Sequence, residues 1–193
     1  MLNASRLDAD LAMLLVIDVQ EKLFPLIHDR DSVLASAVSL VQGSAIFELP
    51  VLATEQYPRG IGTTVARLNE ALSSVHGDVL HKMAFSCCGD EGVRAKLREI
   101  DRRQVIVAGI ETHVCILQTT LDLLSMDYLV FVCADAVGSR TPLDHNLALA
   151  RMRQAGAVVT TVESALFELC VECGTSRFKD MLKLIKEGPT GNG

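Results

Sequence analysis

The sequence predicts a three-layer α/β/α, Rossmann-like fold built on a central six-stranded parallel sheet. Short apolar runs, rich in β-branched residues, alternate with segments whose apolar residues recur at helical spacing. Those runs show no in-and-out alternation, which is the pattern of strands covered by helices on both faces. The chain has 193 residues, 49% hydrophobic and 22% charged, enough to bury one substantial core. No repeat and no interior linker divides it, so residues 1–193 read as a single domain. Gly188 to Gly193 alone reads as a disordered tail.

The elements follow in order. Met13 to Val19 is a continuous apolar run and the first strand. Asp31 to Leu49 carries Leu34, Ala37, Val38, Val41 and Ala45 at helical spacing. Pro50 to Ala53 is a second strand, Thr63 to Leu72 a helix, and Val79 to Lys82 a third strand. Asp90 to Ile100 is a helix, Gln104 to Ala108 the fourth strand, and Thr112 to Met126 a helix with Val114, Leu117, Leu121 and Leu124 on one side. Tyr128 to Cys133 is the fifth strand. Thr141 caps the next helix, Pro142 occupies its first turn, and Gly156 ends it. Ala157 to Thr161 is the last strand, before helices at Glu163 to Cys170 and Ser176 to Lys186.

Composition excludes some functions. A net charge of −6 argues against a nucleic-acid partner, because phosphate binding is dominated by Lys and Arg. Arg94, Lys96, Arg98, Arg102 and Arg103 alternate with apolar residues and read as a solvated helix face. The run Leu11 to Ile17 is too short to span a bilayer and stops at Asp18. The start of the chain has no apolar leader, and it carries Asp8 and Asp10, which a mitochondrial presequence tends to avoid. Six cysteines in a chain of this size point to reduced thiols. An intracellular, cytoplasmic protein is expected, with the mitochondrion as the alternative.

In parallel sheets, ligands collect at the carboxyl ends of the strands. Asp18, Glu55, Lys82 and Cys115 all fall at or just past strand ends, so they are expected around one crevice. Cys115 stands at a strand-to-helix turn, where a helix N-terminus favours a thiolate and lowers its pKa. Backbone N–H groups around Glu111 to Cys115 can hold a developing oxyanion. Asp18 ends an apolar run and suits a general base, and Lys82 would pair with it. Other thiols fit less well. Cys133 lies inside an apolar strand, Cys87 and Cys88 are adjacent, and Cys170-Val171-Glu172-Cys173 has no second CxxC or histidine pair to complete a metal site. His113 is two residues from Cys115 and faces away from it on a helix, which suggests a rim role.

These residues sit in longer motifs that carry a resemblance. LLVIDVQEKLF (14–24), VLATEQYPRGIG (51–62), HKMAFS (81–86), VIVAGIETHVCILQTTLDLL (105–124) and ADAVGSR (134–140) are similar to the isochorismatase-like cysteine hydrolase superfamily. The resemblance runs from about residue 12 to 187 and is closest to isochorismatase domain-containing hydrolases of unassigned substrate. It implies a catalytic triad of Asp18, Lys82 and Cys115, a covalent thioester-type intermediate, and cleavage of a small-molecule amide or related C–N bond. It also implies a non-proline cis peptide between Ile110 and Glu111, an oxyanion held by Glu111, Thr112 and Cys115, and a pocket shaped by Phe24, Gln56, Tyr57 and His113. Phe24 reads equally as core. Nicotinamidases carry an Asp-x-His metal motif after the second strand; here Thr54 to Gly60 reads TEQYPRG, so neither metal nor cofactor is expected. The family commonly oligomerises, so a homo-oligomer is expected. The competing readings are a catalytically silent binding or scaffold protein on the same fold and, further off, a nuclease.

Overall fold

Residues 6–187 are described by a computed structural model, and the tail expected at 188–193 lies outside them. Six strands form one sheet: β1 (Ala12–Ile17), β2 (Val51–Gln56), β3 (Asp78–Lys82), β4 (Gln104–Ile110), β5 (Leu129–Gly138) and β6 (Val158–Thr160). All pairings are parallel, in the spatial order β3-β2-β1-β4-β5-β6. Each crossover is helical: α1 (Arg30–Ile46), the short α2 (Pro58–Ile61) with α3 (Ala66–Ser74), α4 (Glu91–Ile100), α5 (Leu117–Ser125) and α6 (Pro142–Ala155). The chain closes with α7 (Val162–Cys170) and α8 (Ser176–Glu187). Strand order reverses between β1 and β4, and that switch point opens a crevice at their carboxyl ends.

The core lies in two layers, as period-two side-chain alternation requires. Ala12, Leu14 and Val16 of β1 pack under α1, α3, α7 and α8, with Leu40, Leu68, Leu166 and Met181. Met13, Leu15 and Ile17 pack on the other face with Val93, Leu97, Leu123 and Met152 of α4, α5 and α6. Burial on both faces explains why β1 and β4 read as unbroken apolar runs.

Caps expected from the sequence are in place. The Thr141 hydroxyl accepts from the Asp144 N–H, Pro142 starts α6, and Gly156 closes it at φ 110°. At Asp90, given from the sequence as the first residue of a helix and not as a cap, the side chain accepts from the Gly92 and Val93 N–H groups and caps α4.

Among the boundaries that differ from expectation, three do so for a tertiary reason. The second strand continues past Ala53 to Gln56, because Thr54 and Gln56 are buried and bonded by neighbours rather than solvated. The fifth strand runs beyond Cys133 to Gly138, through a register shift against β4 between Val107 and Gly109. The helix expected from Thr112 begins as a π-helical turn, Thr112–Ile116, before α5 proper.

Candidate active site

Asp18 follows β1 in a left-handed backbone conformation, φ 54°, and is fully buried. Its N–H donates to the Thr54 carbonyl at 3.0 Å, which ties the turn to β2. Oδ1 accepts the Thr54 hydroxyl at 2.8 Å, and Oδ2 lies 2.6 Å from Nζ of Lys82. Lys82 is the last residue of β3 and is itself only 1% exposed. Such a pair persists in a low-dielectric interior only when both charges are well compensated. Lys82 Nζ also donates to Gln56 Oε1 at 2.7 Å, to the Phe85 carbonyl at 3.0 Å and to the Ala84 carbonyl at 3.1 Å. Burial works to lower the Lys82 pKa, but the Asp18 charge, Cys115, Cys87 and a hydrogen bond to Asp18 together outweigh it and hold it above the usual lysine range.

Cys115 lies against this ion pair from the π-helical turn and is 5% exposed. Both the Val114 and Ile116 N–H groups donate to the Glu111 carbonyl, at 3.0 and 3.2 Å, so the turn winds tightly around Glu111. π-helical turns inside helices concentrate at functional sites. The Ile110–Glu111 peptide is cis. Two side-chain links brace the turn from outside. Thr112 Oγ1 meets His145 Nδ1 at 3.0 Å, and His113 Nδ1 meets Ser139 Oγ at 3.0 Å. His113 is thereby tied to Ser139. A cavity of about 280 Å³ adjoins this brace, lined in part by His28, Asp135, Ser139 and His145. Burial, then nearby His28, pushes the His145 pKa down.

The thiol departs from the simple helix-terminus expectation. Burial pushes the Cys115 pKa well above the ordinary thiol range, the Asp18 charge raises it further, and Lys82 opposes only in part. A resting thiolate is disfavoured, so the proton stays on sulfur beside a carboxylate. That arrangement suits a base that removes the proton during attack rather than before it.

Other sequence candidates are distributed differently. Glu55 does not join the crevice: strand alternation turns it to the opposite face from Thr54 and Gln56, where Oε1 accepts from Thr64 N–H and Oγ1 at 2.7 and 2.9 Å. Gln56, expected in the substrate pocket, is buried, with its amide committed to Lys82 and the Met83 carbonyl. Tyr57 is half exposed, and its N–H donates to the Lys82 carbonyl at 3.0 Å. Phe24 begins a short 3-10 turn and packs beside Ile27, Val33 and Ile110, the core role open to it from the start. Sequence reasoning missed Thr54 and Gln20. The available signal was two polar residues, Thr54 and Gln56, on one face of a strand, beside a glutamine two positions after Asp18. Among the described residues, no group of three or more His, Cys, Asp or Glu side chains is arranged to hold a metal.

Comparison with known proteins places this chain in a family. The Isochorismatase domain model matches residues 12–164. The chain is 40% identical to the secreted isochorismatase effector Isc1 of Phytophthora sojae over 178 residues, covering 91% of this chain and 85% of the relative. The MAR1 ribonuclease structure from Caenorhabditis elegans superposes with a TM-score of 0.89 at 36% identity, covering 98% of this chain and 97% of that one. YcaC from Pseudomonas aeruginosa, solved with hexane-2,5-diol and covalent acrylamide, gives a TM-score of 0.88 at 27% identity, covering 95% and 93%. The chain belongs to the isochorismatase family.

Proposed function

We propose that this protein is a cysteine hydrolase that cleaves an amide or related C–N bond in a small molecule. The observation that carries the reading is a buried thiol held against a carboxylate whose Oδ1 is occupied by Thr54 and whose charge is balanced by Lys82. In the first half-reaction, Asp18 takes the Cys115 proton as sulfur attacks the carbonyl carbon. The oxygen becomes an oxyanion, stabilised by backbone N–H groups of Glu111, Thr112 and Cys115. Collapse breaks the C–N bond; Asp18 returns the proton to the leaving nitrogen, and a thioester remains on Cys115. In the second, Asp18 deprotonates water, which attacks the thioester. Its collapse releases the carboxylic acid, and the same proton restores the thiol. Lys82 keeps a positive charge throughout and offsets the negative charge that moves between Asp18 and the substrate.

The steps use side chains, backbone N–H groups and water, so neither cofactor nor metal is invoked. A nucleophile this buried favours a small substrate over a polymer. The name of the Caenorhabditis neighbour raises RNA as a rival substrate; the net charge of −6 weighs against it. The test is a panel of small amides, with an RNA oligonucleotide alongside, assayed with wild type and Cys115→Ala. Amide turnover that disappears in Cys115→Ala, with an acyl adduct on the Cys115 peptide by mass spectrometry, is the expected result. Equal turnover by both proteins overturns the nucleophile role. Cys115-dependent RNA cleavage without amide turnover overturns the substrate class.

A further inference from the structure

Cys170 and Cys173 stand apart from the hydrolase site. α7 starts at the carboxyl edge of the sheet, directly after β6, and runs to the opposite edge. There Leu7, ahead of β1, donates its N–H to Glu168 Oε2 at 2.8 Å. The pair therefore lies at the other edge of the sheet from the β1–β4 crevice. Both are free thiols; Cys173 is exposed, and half-buried Cys170 lines an open cleft of about 750 Å³ with Arg6, Asp8 and Arg177.

The end of α7 folds these two residues together. Glu172 N–H donates to the Cys170 carbonyl at 2.7 Å, two residues back, which closes a γ-turn on Val171 at φ 64°, ψ −51°. That form of the γ-turn is rare and strained, and a β-branched residue suits it least. Glycine is the ordinary choice for a left-handed helix end. Packing does not hold Val171 there, because it is 71% exposed. Strained backbone of this kind gathers at functional sites. Cys170 Sγ lies 3.4 Å from the Glu172 carbonyl oxygen, which belongs to the peptide that leads into Cys173. In a trans peptide that oxygen and the next Cα are on the same side, so the Cys170 sulfur sits beside Cys173. The chain then bends at each residue from 172 to 175, with Gly174 at φ 87°.

We propose that Cys170 and Cys173 are a redox-active dithiol, which exchanges with a small disulfide such as glutathione disulfide and closes to an intramolecular disulfide. Exposed Cys173 loses its proton and attacks one sulfur of the reagent. The S–S bond of the reagent breaks, and the first glutathione leaves as a thiolate and takes up a proton. Cys170 then loses its proton and attacks the Cys173 sulfur of the mixed disulfide. The second glutathione leaves and is protonated in turn. The protein is oxidised by two electrons, and the reagent is reduced to two thiols. Cys87, Cys88, Cys115 and Cys133 are buried and take no part. The proposal is independent of the hydrolase reading.

The test equilibrates the full chain, first reduced and freed of reductant, with mixtures of reduced glutathione and glutathione disulfide. Remaining thiols are alkylated with N-ethylmaleimide, and tryptic peptides are weighed by mass spectrometry. Cleavage after Arg153 and Arg177 leaves both cysteines, and no other, on one peptide, residues 154–177. Wild type should yield that peptide two hydrogens lighter and without alkyl groups, with little glutathione attached. Cys170→Ser should instead accumulate glutathione on Cys173, because no neighbouring thiol displaces it. The folded chain should also keep its disulfide at a glutathione balance about tenfold or more further toward reduction than the isolated 154–177 peptide does, since the turn brings the sulfurs together in advance. Wild type that stops at the Cys173 mixed disulfide, as Cys170→Ser does, overturns the proposal. So does a wild-type peptide that stays doubly alkylated in every mixture. A disulfide no more stable in the folded chain than in the peptide overturns it as well, because the pairing would then owe nothing to the fold.

Discussion

Asp18 and Lys82 show how much one buried charge depends on its partner. Both side chains are essentially inaccessible. Removing one leaves the other as an uncompensated charge in the interior, which typically costs about 3–5 kcal/mol. Lys82→Met should therefore lose stability of that order in urea denaturation at neutral pH, well beyond the deletion of an exposed lysine. Adding Asp18→Asn removes the stranded charge while keeping an acceptor for Thr54, so the double variant should recover a large part of the loss. A double variant no more stable than Lys82→Met would show that the ion pair is not what the single change disrupts. At this scale the chemical residue types were legible in the sequence, but their partners were not. Thr54 and the carbonyls of Ala84 and Phe85 reach the ion pair, and Gln20 reaches the Gln56 backbone beside it, only through sheet register and loop path.

β4 and the turn after it are the elements on which the site depends. Gly109 lies beside Ile17 of β1 with φ 124°, where a Cβ would sit 2.1 Å from the Ile17 carbonyl oxygen and 2.6 Å from its nitrogen. Both contacts are backbone in a central strand, so neither neighbour can yield as a flexible side chain would. Gly109→Ala should destabilise by about 3 kcal/mol or more, read as a lower urea midpoint with the denaturant slope unchanged. A midpoint equal to wild type would mean that β1 and β4 separate more easily than their register implies. Helix starts at Asp90 and Thr141 were readable because capping is a local bond between neighbours in sequence. The π-helical turn at Cys115 was not, because it depends on how β4 ends and on bracing by His145 and Ser139, far along the chain.

Across the whole molecule, four buried thiols bias stability toward lower pH. Burial pushes Cys87 up to about 11 and Cys88 up to about 12, and raises Cys133 and Cys115 well above the ordinary thiol range. In the unfolded chain these thiols lose their protons near pH ~8.5–9, while the folded chain keeps them. The unfolded state then binds fewer protons, so stability is full below that pH and falls as pH rises. Each fully buried thiol contributes up to ~1.4 kcal/mol of loss per pH unit until its folded pKa is reached. Lys82, also raised, adds loss in the same direction above its unfolded value of 10.5. Urea denaturation from neutral pH to about pH 10.5 should show a plateau followed by a decline that begins near pH 9. Constant stability across that range would contradict the burial of these protonated thiols.

The sequence by itself determined the strand–helix alternation, the parallel sheet and the residue types at the strand ends. Those follow from local hydrophobic period, capping bonds and the need to bury both faces of the sheet. It also carried the family resemblance that singled out Asp18, Lys82 and Cys115. Tertiary structure alone decided that Thr54 and Lys82 converge on Asp18, that Gln56 faces Lys82 while Glu55 turns away, and that burial pushes the Cys115 thiol up. These depend on register between strands far apart in the chain and on a low-dielectric interior, and neither is encoded in the spacing of any one segment.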